Sequence, residues 1–216
     1  MLLVVSDDVR ATPAFYDRYW ASQQDGKPSD FVYKWPALEP LIPREPGVII
    51  LDYGCGTGEI LRELRALNPG ARYIGVDVSE TALVTARAAV SEAMFHHVSD
   101  GQRVPVAAAS VDFIFSSEVV EHVYDTEVIF TEFARLLRPG GRILITTPYH
   151  GLIKNLLLVT FAFDRHFDPK GPHVRFFSKR SLFSALRTVG LEPEIHGYYG
   201  RFYPISMGIY VLAHKR

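Results

Sequence analysis

The 216-residue chain has one cysteine, no long apolar run and almost no net charge, and each shortage removes a class of protein. Cys55 has no second thiol to pair with, so an internal disulfide is excluded, which suits a reducing cytoplasm. The most apolar stretch runs from Leu152 to Phe163, but Lys154 and Asn155 break it and it falls well short of the ~20 residues that cross a bilayer. No transmembrane segment is expected. Lys plus Arg total 23 against 24 for Asp plus Glu, and a formal charge of -1 lacks the electrostatic footprint of a nonspecific nucleic-acid binder. That argues against DNA, so no DNA partner is expected, and RNA is disfavoured short of a local RNA site. Met1-Leu2-Leu3-Val4-Val5 runs straight into Asp7 and Asp8, without the basic start or apolar length of a signal peptide, and reads as mature sequence. Repeats and low-complexity tracts are absent as well.

With 48% apolar side chains the chain can bury a full core, and residues 1–216 are expected to form one domain. Phe15, Tyr16, Tyr19 and Trp20, then Trp35 and Leu38, suggest helices, with Pro36, Pro40 and Pro43 breaking the pattern before the first strand. Residues 1–46 are read as an N-terminal helical cap. From Val48 onward, apolar runs alternate with amphipathic segments: strands at 48–52, 72–76, 94–98, 111–115 and 142–147, with helices at 58–67, 80–91 and 125–137. That rhythm predicts a parallel α/β sheet. The tail departs from it, with an apolar helix-like piece at 151–163, a loop rich in His, Pro and Gly, a helix at 178–189 opened by Ser178, and strands at 191–197 and 205–213. Residues 149–177 are read as a lid or acceptor-binding insertion.

The first strand enters a glycine-spaced turn, Asp52-Tyr53-Gly54-Cys55-Gly56-Thr57-Gly58-Glu59, and a helix follows. Glycines at alternate positions let the main chain approach a ligand closely, and the helix start aims free N–H groups at the same place. Asp77 ends the second apolar run, where an acid can accept hydrogen bonds from a ribose diol. Glu59 stands where a dinucleotide fingerprint would place its third glycine, so a nicotinamide oxidoreductase fits poorly.

With Gly75-Val76-Asp77-Val78-Ser79, Val111-Asp112-Phe113-Ile114-Phe115-Ser116-Ser117 and Leu136-Leu137-Arg138-Pro139-Gly140-Gly141-Arg142, that turn makes four ordered blocks. Together they resemble the class I S-adenosylmethionine-dependent methyltransferases, from about Tyr16 to the C-terminus. The resemblance implies a Rossmann-like α/β fold, a mostly parallel seven-stranded sheet in the order 3-2-1-4-5-7-6 with the last strand antiparallel and helices on both faces. It also implies S-adenosylmethionine as cofactor and S-adenosylhomocysteine as product. It places Asp52, Gly54, Cys55, Gly56 and Gly58 at the methionine end, Asp77 and Val78 at the ribose, Asp100 and Gly101 at the adenine, and Ser117 and Glu118 beneath the sulfonium.

Glu118-Val119-Val120-Glu121-His122 puts three polar groups at i, i+3 and i+4, on one helical face at the crevice end of the fourth strand. Three readings stand. His122 acts as general base on an acceptor hydroxyl or amine while Glu118 and Glu121 shape the field. Alternatively Glu118, Glu121 and His122 join His173 around a divalent metal. The motif is similar to the Glu-x-x-Glu-His of small-RNA 2′-O-methyltransferases, where a metal orients the acceptor, and of ubiquinone-biosynthesis O-methyltransferases. The third reading is structural: solvated carboxylates and a packed imidazole. In the tail, His173 and then His150 are candidates to touch the acceptor, since a loop after the fifth strand can reach the transferable methyl group.

The main functional expectation is methyl transfer to a small molecule, at oxygen before nitrogen or carbon. A metal-assisted RNA 2′-O-methyltransferase and a cofactor-binding scaffold without catalysis are the alternatives. Leu152 to Phe163 offers apolar surface to a greasy acceptor or a partner, although burial against the sheet is the simpler expectation. The oligomeric state is left open by these motifs.

Overall fold

In a parallel sheet covered on both faces, each strand reads as a short continuous apolar run, and successive residues supply opposite layers. Ile50, Phe113, Phe115, Leu144 and Leu212 pack one layer, while Leu51, Ile114, Ile143, Ile145 and Val211 pack the other. The computed structural model describes residues 16–17, 30–99, 101–167 and 172–216. Its strands are β1 (Ile49–Tyr53), β2 (Arg72–Asp77), β3 (Met94–His97), β4 (Val111–Ser117), β5 (Leu137–Pro148), β6 (Leu191–Tyr199) and β7 (Gly208–Lys215). They form a seven-stranded sheet in the order β3-β2-β1-β4-β5-β7-β6. All neighbours are parallel except the pairs made by β7, which runs antiparallel to both β5 and β6. The order and the antiparallel strand are those expected.

Helices α1 (Phe31–Leu38), α2 (Glu59–Leu67) and α3 (Glu80–Ala89) cover the first layer, and α4 (Thr126–Leu136) and α7 (Lys179–Thr188) cover the second. Three of their starts are capped by side chains, that of α7 by the expected Ser178. Ser79, Asp125 and Ser178 accept from the first free N–H groups, and Ser178 completes a reciprocal box with Ser181. Two expectations need correction. Pro36 does not break the helix but lies inside α1, where the N–H it lacks would have met the carbonyl of Val32, an exposed residue. The apolar piece is two helices, α5 (Leu152–Phe161) and α6 (Phe163–His166), and α5 is not buried against the sheet: none of its residues is buried.

Candidate active site

The crevice lies at the C-terminal ends of β1, β2, β4 and β5. Gly54 leaves β1 at φ +82° and a Cβ there would come 2.3 Å from Val119 Cγ2, so the turn closes tightly on the segment after β4. Gly54 and Cys55 both donate to the Val76 carbonyl, at 2.7 and 3.0 Å. Asp77 completes the tie: one carboxylate oxygen accepts from Gly56 N at 2.7 Å and the other from Ser79 N at 2.9 Å. Burial raises its pKa, against the pull of these N–H groups. Asp77 thus braces the glycine turn, and with the Val78 N–H also acting on it the carboxylate still has acceptor capacity left. The Val78 carbonyl lies 2.9 Å from His97 Nε2. Cys55 is buried and its thiol is pushed up by burial, then by the charges of Asp52 and Asp77, which keeps it protonated.

Asp52 is 2% exposed and its Oδ2 has no hydrogen-bond partner. Burial first and then the charge of Asp77 push its carboxyl up to about 8, while Lys34 pulls the other way. Lys34 is a functional candidate that sequence reasoning missed. It is 1% exposed, donates to Ser117 Oγ at 2.8 Å and pairs with Asp30 at 3.0 Å. The signal was present, because Phe31, Lys34, Trp35 and Leu38 follow the i, i+3, i+4, i+7 pattern of one buried stripe. A lysine on such a stripe needs a partner inside.

From Lys34 a chain of hydrogen bonds crosses the sheet. Ser117 Oγ lies 2.9 Å from Thr146 Oγ1, Thr146 Oγ1 donates to Glu118 Oε1 at 2.7 Å, and Tyr199 OH donates to the same oxygen at 2.5 Å. Burial, then the Glu118 charge, pushes the Tyr199 hydroxyl up and keeps it a donor. Glu118 sits at φ +56°, a conformation a bulky residue adopts only when its surroundings impose it. The expected helical face is thereby corrected: Glu118 lies before a short 3₁₀ turn, Val120–His122, instead of one α-helical turn below Glu121 and His122.

That turn still gathers the polar groups. Glu121 is buried, accepts from Thr147 Oγ1 at 3.1 Å and leaves Oε1 without a partner. Burial, and then the Glu118 charge, drives its carboxyl well above the usual range. The Glu121 carbonyl accepts from Val174 and Arg175, which pins the returning loop over the turn. His122 Nδ1 lies 3.0 Å from the Pro172 carbonyl and so carries the proton, leaving Nε2 as the acceptor, 3.9 Å from Glu121 Oε1. The His173 ring lies 4.9 Å from that of His122, and burial lowers the pKa of both. Tyr16 packs edge-on against His122 at 5.9 Å. Ligand atoms of Glu121, His122 and His173 lie within 4.8 Å of one another, and Glu118, engaged by Thr146 and Tyr199, is not one of that group.

His150 does not join them directly. It is buried beside Phe176, with Nδ1 3.1 Å from Asn155 Oδ1 and its ring 5.5 Å from His166, and burial drives its pKa to about 4. Asp100, Tyr19 and Trp20 lie outside the described residues. Gly101 is exposed in a turn at φ +76°. Asp17, near Tyr16, accepts from Ser79 Oγ at 2.5 Å, so the N-terminal segment reaches the end of β2.

A family profile described as a methyltransferase domain matches residues 51–145. The malonyl-acyl-carrier-protein O-methyltransferase of Hahella chejuensis is 32% identical over 170 residues, 74% of this chain and 57% of that protein. The ubiquinone biosynthesis O-methyltransferase of Aromatoleum aromaticum is 30% identical over 185 residues, 81% of this chain and 77% of that protein. A solved methyltransferase from Aquifex aeolicus shares the fold at a TM-score of 0.68 and 16% identity, over 94% of this chain and 98% of its own. The chain belongs to the class I S-adenosylmethionine-dependent methyltransferases. It spans 57% of the length of the Hahella chejuensis relative.

Proposed function

We propose that this chain is a cytoplasmic enzyme that transfers a methyl group from S-adenosylmethionine to an oxygen of a small, partly apolar acceptor. Residues 1–216 act as one domain, with 1–46 as a cap and 149–177 as the insertion that meets the acceptor. The observation that carries this reading is the juxtaposition at the end of β4. Ser117, bonded to Lys34 on the cofactor side, is followed at once by the segment that brings Glu121, His122 and His173 together.

The residues present fit the cofactor. An orphaned Asp52 oxygen and a buried Lys34 suit the ammonium and carboxylate of an amino-acid end, Gly54 to Gly58 leave room for main-chain approach, and Asp77 has acceptor capacity left for ribose hydroxyls. Val78, Asp100 and Gly101 are assigned to the adenosine, and Ser117 and Glu118 to the wall beneath the sulfur. Bound there, the cofactor supplies an electrophilic methyl group. The chain does the rest. The glycine turn and β4 hold the reactants in line, Tyr16 and the returning loop exclude water, and His122 Nε2 takes the acceptor's proton. His173 and, further out, His150 line the approach. Groups placed for proton transfer favour an enzyme over a scaffold.

A second reading is favoured by the convergence of Glu121, His122 and His173, which offers a divalent ion two imidazoles and a carboxylate. The ion would orient the acceptor oxygen, and RNA 2′-hydroxyls would then join the candidate acceptors. One experiment separates the two. His122→Ala should lower kcat by about 10²- to 10⁴-fold with S-adenosylhomocysteine affinity nearly unchanged, and activity should survive chelation if His122 works as a base. Loss of activity on chelation, restored by added metal, would move the assignment to the ion, and equal loss of cofactor affinity would remove the division of roles.

A further inference from the structure

Helix α5 is turned inside out. A surface helix ordinarily points its apolar residues at the core and its polar ones at water. Here Leu152, Ile153, Leu156, Leu157, Val159 and Phe161 are the exposed residues, Leu152 at 76% and Phe161 at 79%, and none is buried. The polar side chains turn inward instead. Asn155 reaches His150, and Lys154 Nζ donates to the Met207 carbonyl at 3.1 Å. Thr160, the one polar residue on the exposed side, donates its hydroxyl at 2.7 Å to the Leu156 carbonyl within the same helix. It therefore offers no unmet hydrogen bond to its surroundings, as a hydrocarbon environment requires.

The apolar surface continues beyond the helix. Phe163 follows it, and the turn between β6 and β7 that receives Lys154 exposes Phe202, at 74%, and Tyr203. Charge sets the kind of partner. In a chain of net charge -1, residues 149–182 carry Lys154, Arg165, Lys170, Arg175, Lys179 and Arg180 against only Asp164 and Asp168, and exposed Arg201 lies in the same β6–β7 turn. A greasy face with Thr160 as its one exposed polar member, in a stretch of sequence with an excess of positive charge and with Arg175, Lys179, Arg180 and Arg201 exposed, is complementary to an anionic, apolar surface.

We propose that α5 and the β6–β7 turn dock this protein onto the face of a lipid bilayer containing anionic headgroups. The helix, about 15 Å long, lies in the plane of the interface, with its leucines and phenylalanines below the headgroups and Arg201 among the phosphates. No helix among the described residues is long and apolar enough to cross a membrane, so the attachment is to one face. Because α5 begins just after β5 leaves the crevice, docking would set the acceptor entrance against the bilayer. The lipid-binding inference itself does not depend on which acceptor is methylated.

The test is flotation of the full chain with vesicles of phosphatidylcholine, with and without phosphatidylserine. The wild type should float with the anionic vesicles, less with the neutral ones, and less at high salt. Leu156→Asp combined with Phe161→Asp should weaken flotation about tenfold or more, and Arg201→Glu should weaken it on anionic vesicles alone. Calorimetric titration of S-adenosylhomocysteine into each variant checks that the fold survives and reads the cofactor site separately. Failure of the wild type to float with either vesicle, or variants that float like the wild type, would overturn the proposal. So would a change in concentration-dependent self-association in place of flotation, which would give the face to a second copy of the chain.

Discussion

Asp52 shows at the residue scale what a buried carboxyl with an unpartnered oxygen does to the fold. Buried and near the charge of Asp77, it holds its proton up to about pH 8, whereas in the unfolded chain it ionises in the ordinary carboxylate range near 3.8. The native state binds a proton that the unfolded state has lost, so this carboxyl favours folding at low pH and the contribution disappears as pH rises toward 8. Asp52→Asn, neutral and of similar shape, should flatten that slope. Thermal melting of both proteins without cofactor should show the variant gaining on the wild type between pH 5 and pH 9, whereas parallel curves would mean that Asp52 is not desolvated as described. Lys34 makes the complementary point. Its place on an apolar stripe was visible in the sequence, but its partners were not, because Ser117 lies 83 residues away and only the sheet order brings them together.

At the scale of elements, the glycine turn and the segment after β4 act as one unit. Gly54 needs its positive φ and its missing Cβ at once, so Gly54→Ala should destabilise the protein by about 2–4 kcal/mol, strain and crowding together. Adding Val119→Ala should recover the crowding part and leave the strain. Denaturant melts of the single and double variants check this, and an unimproved double variant would show that Val119 is not the obstacle. Most elements were legible beforehand because their signals are local: apolar runs for β1, β2 and β4, amphipathic periodicity for α3 and α4, and the capping Ser178 for α7. Where the reading failed, the cause was non-local. Strand β5 begins at Leu137, five residues before the expected strand, because Leu137 pairs with Val111 before the register shifts. The Glu118–His122 segment has helical spacing but starts from a left-handed residue imposed by β5 and Tyr199. Composition marked α5 as apolar, yet hydropathy alone does not say which way a helix faces.

Across the whole molecule, one sheet edge carries two chemistries on adjacent strands. The side proposed for the cofactor, at β1 and β2, is built on main-chain turns and acids that sequence motifs report directly. The side proposed for the acceptor, at β4 and β5, is built from a returning loop and an inverted helix, and the sequence marked its candidates, Glu118, Glu121, His122, His150, His173 and the insertion 149–177, without their geometry. The link between the two is the chain from Lys34 through Ser117 and Thr146 to Glu118, which spans α1, β4 and β5. The claim on which this account rests is that Lys34 and Asp77 face a bound adenosyl amino acid. Calorimetric titration tests it, with S-adenosylhomocysteine and with methylthioadenosine, which lacks the amino-acid end, into wild type, Asp77→Ala and Lys34→Met. The account predicts that the wild type binds both and that Asp77→Ala weakens both. Lys34→Met should weaken only S-adenosylhomocysteine, by about 1.5–3 kcal/mol for a lost charged hydrogen bond. Folded wild-type protein that gives no heat with S-adenosylhomocysteine, or a Lys34→Met variant that loses both ligands equally, would contradict it.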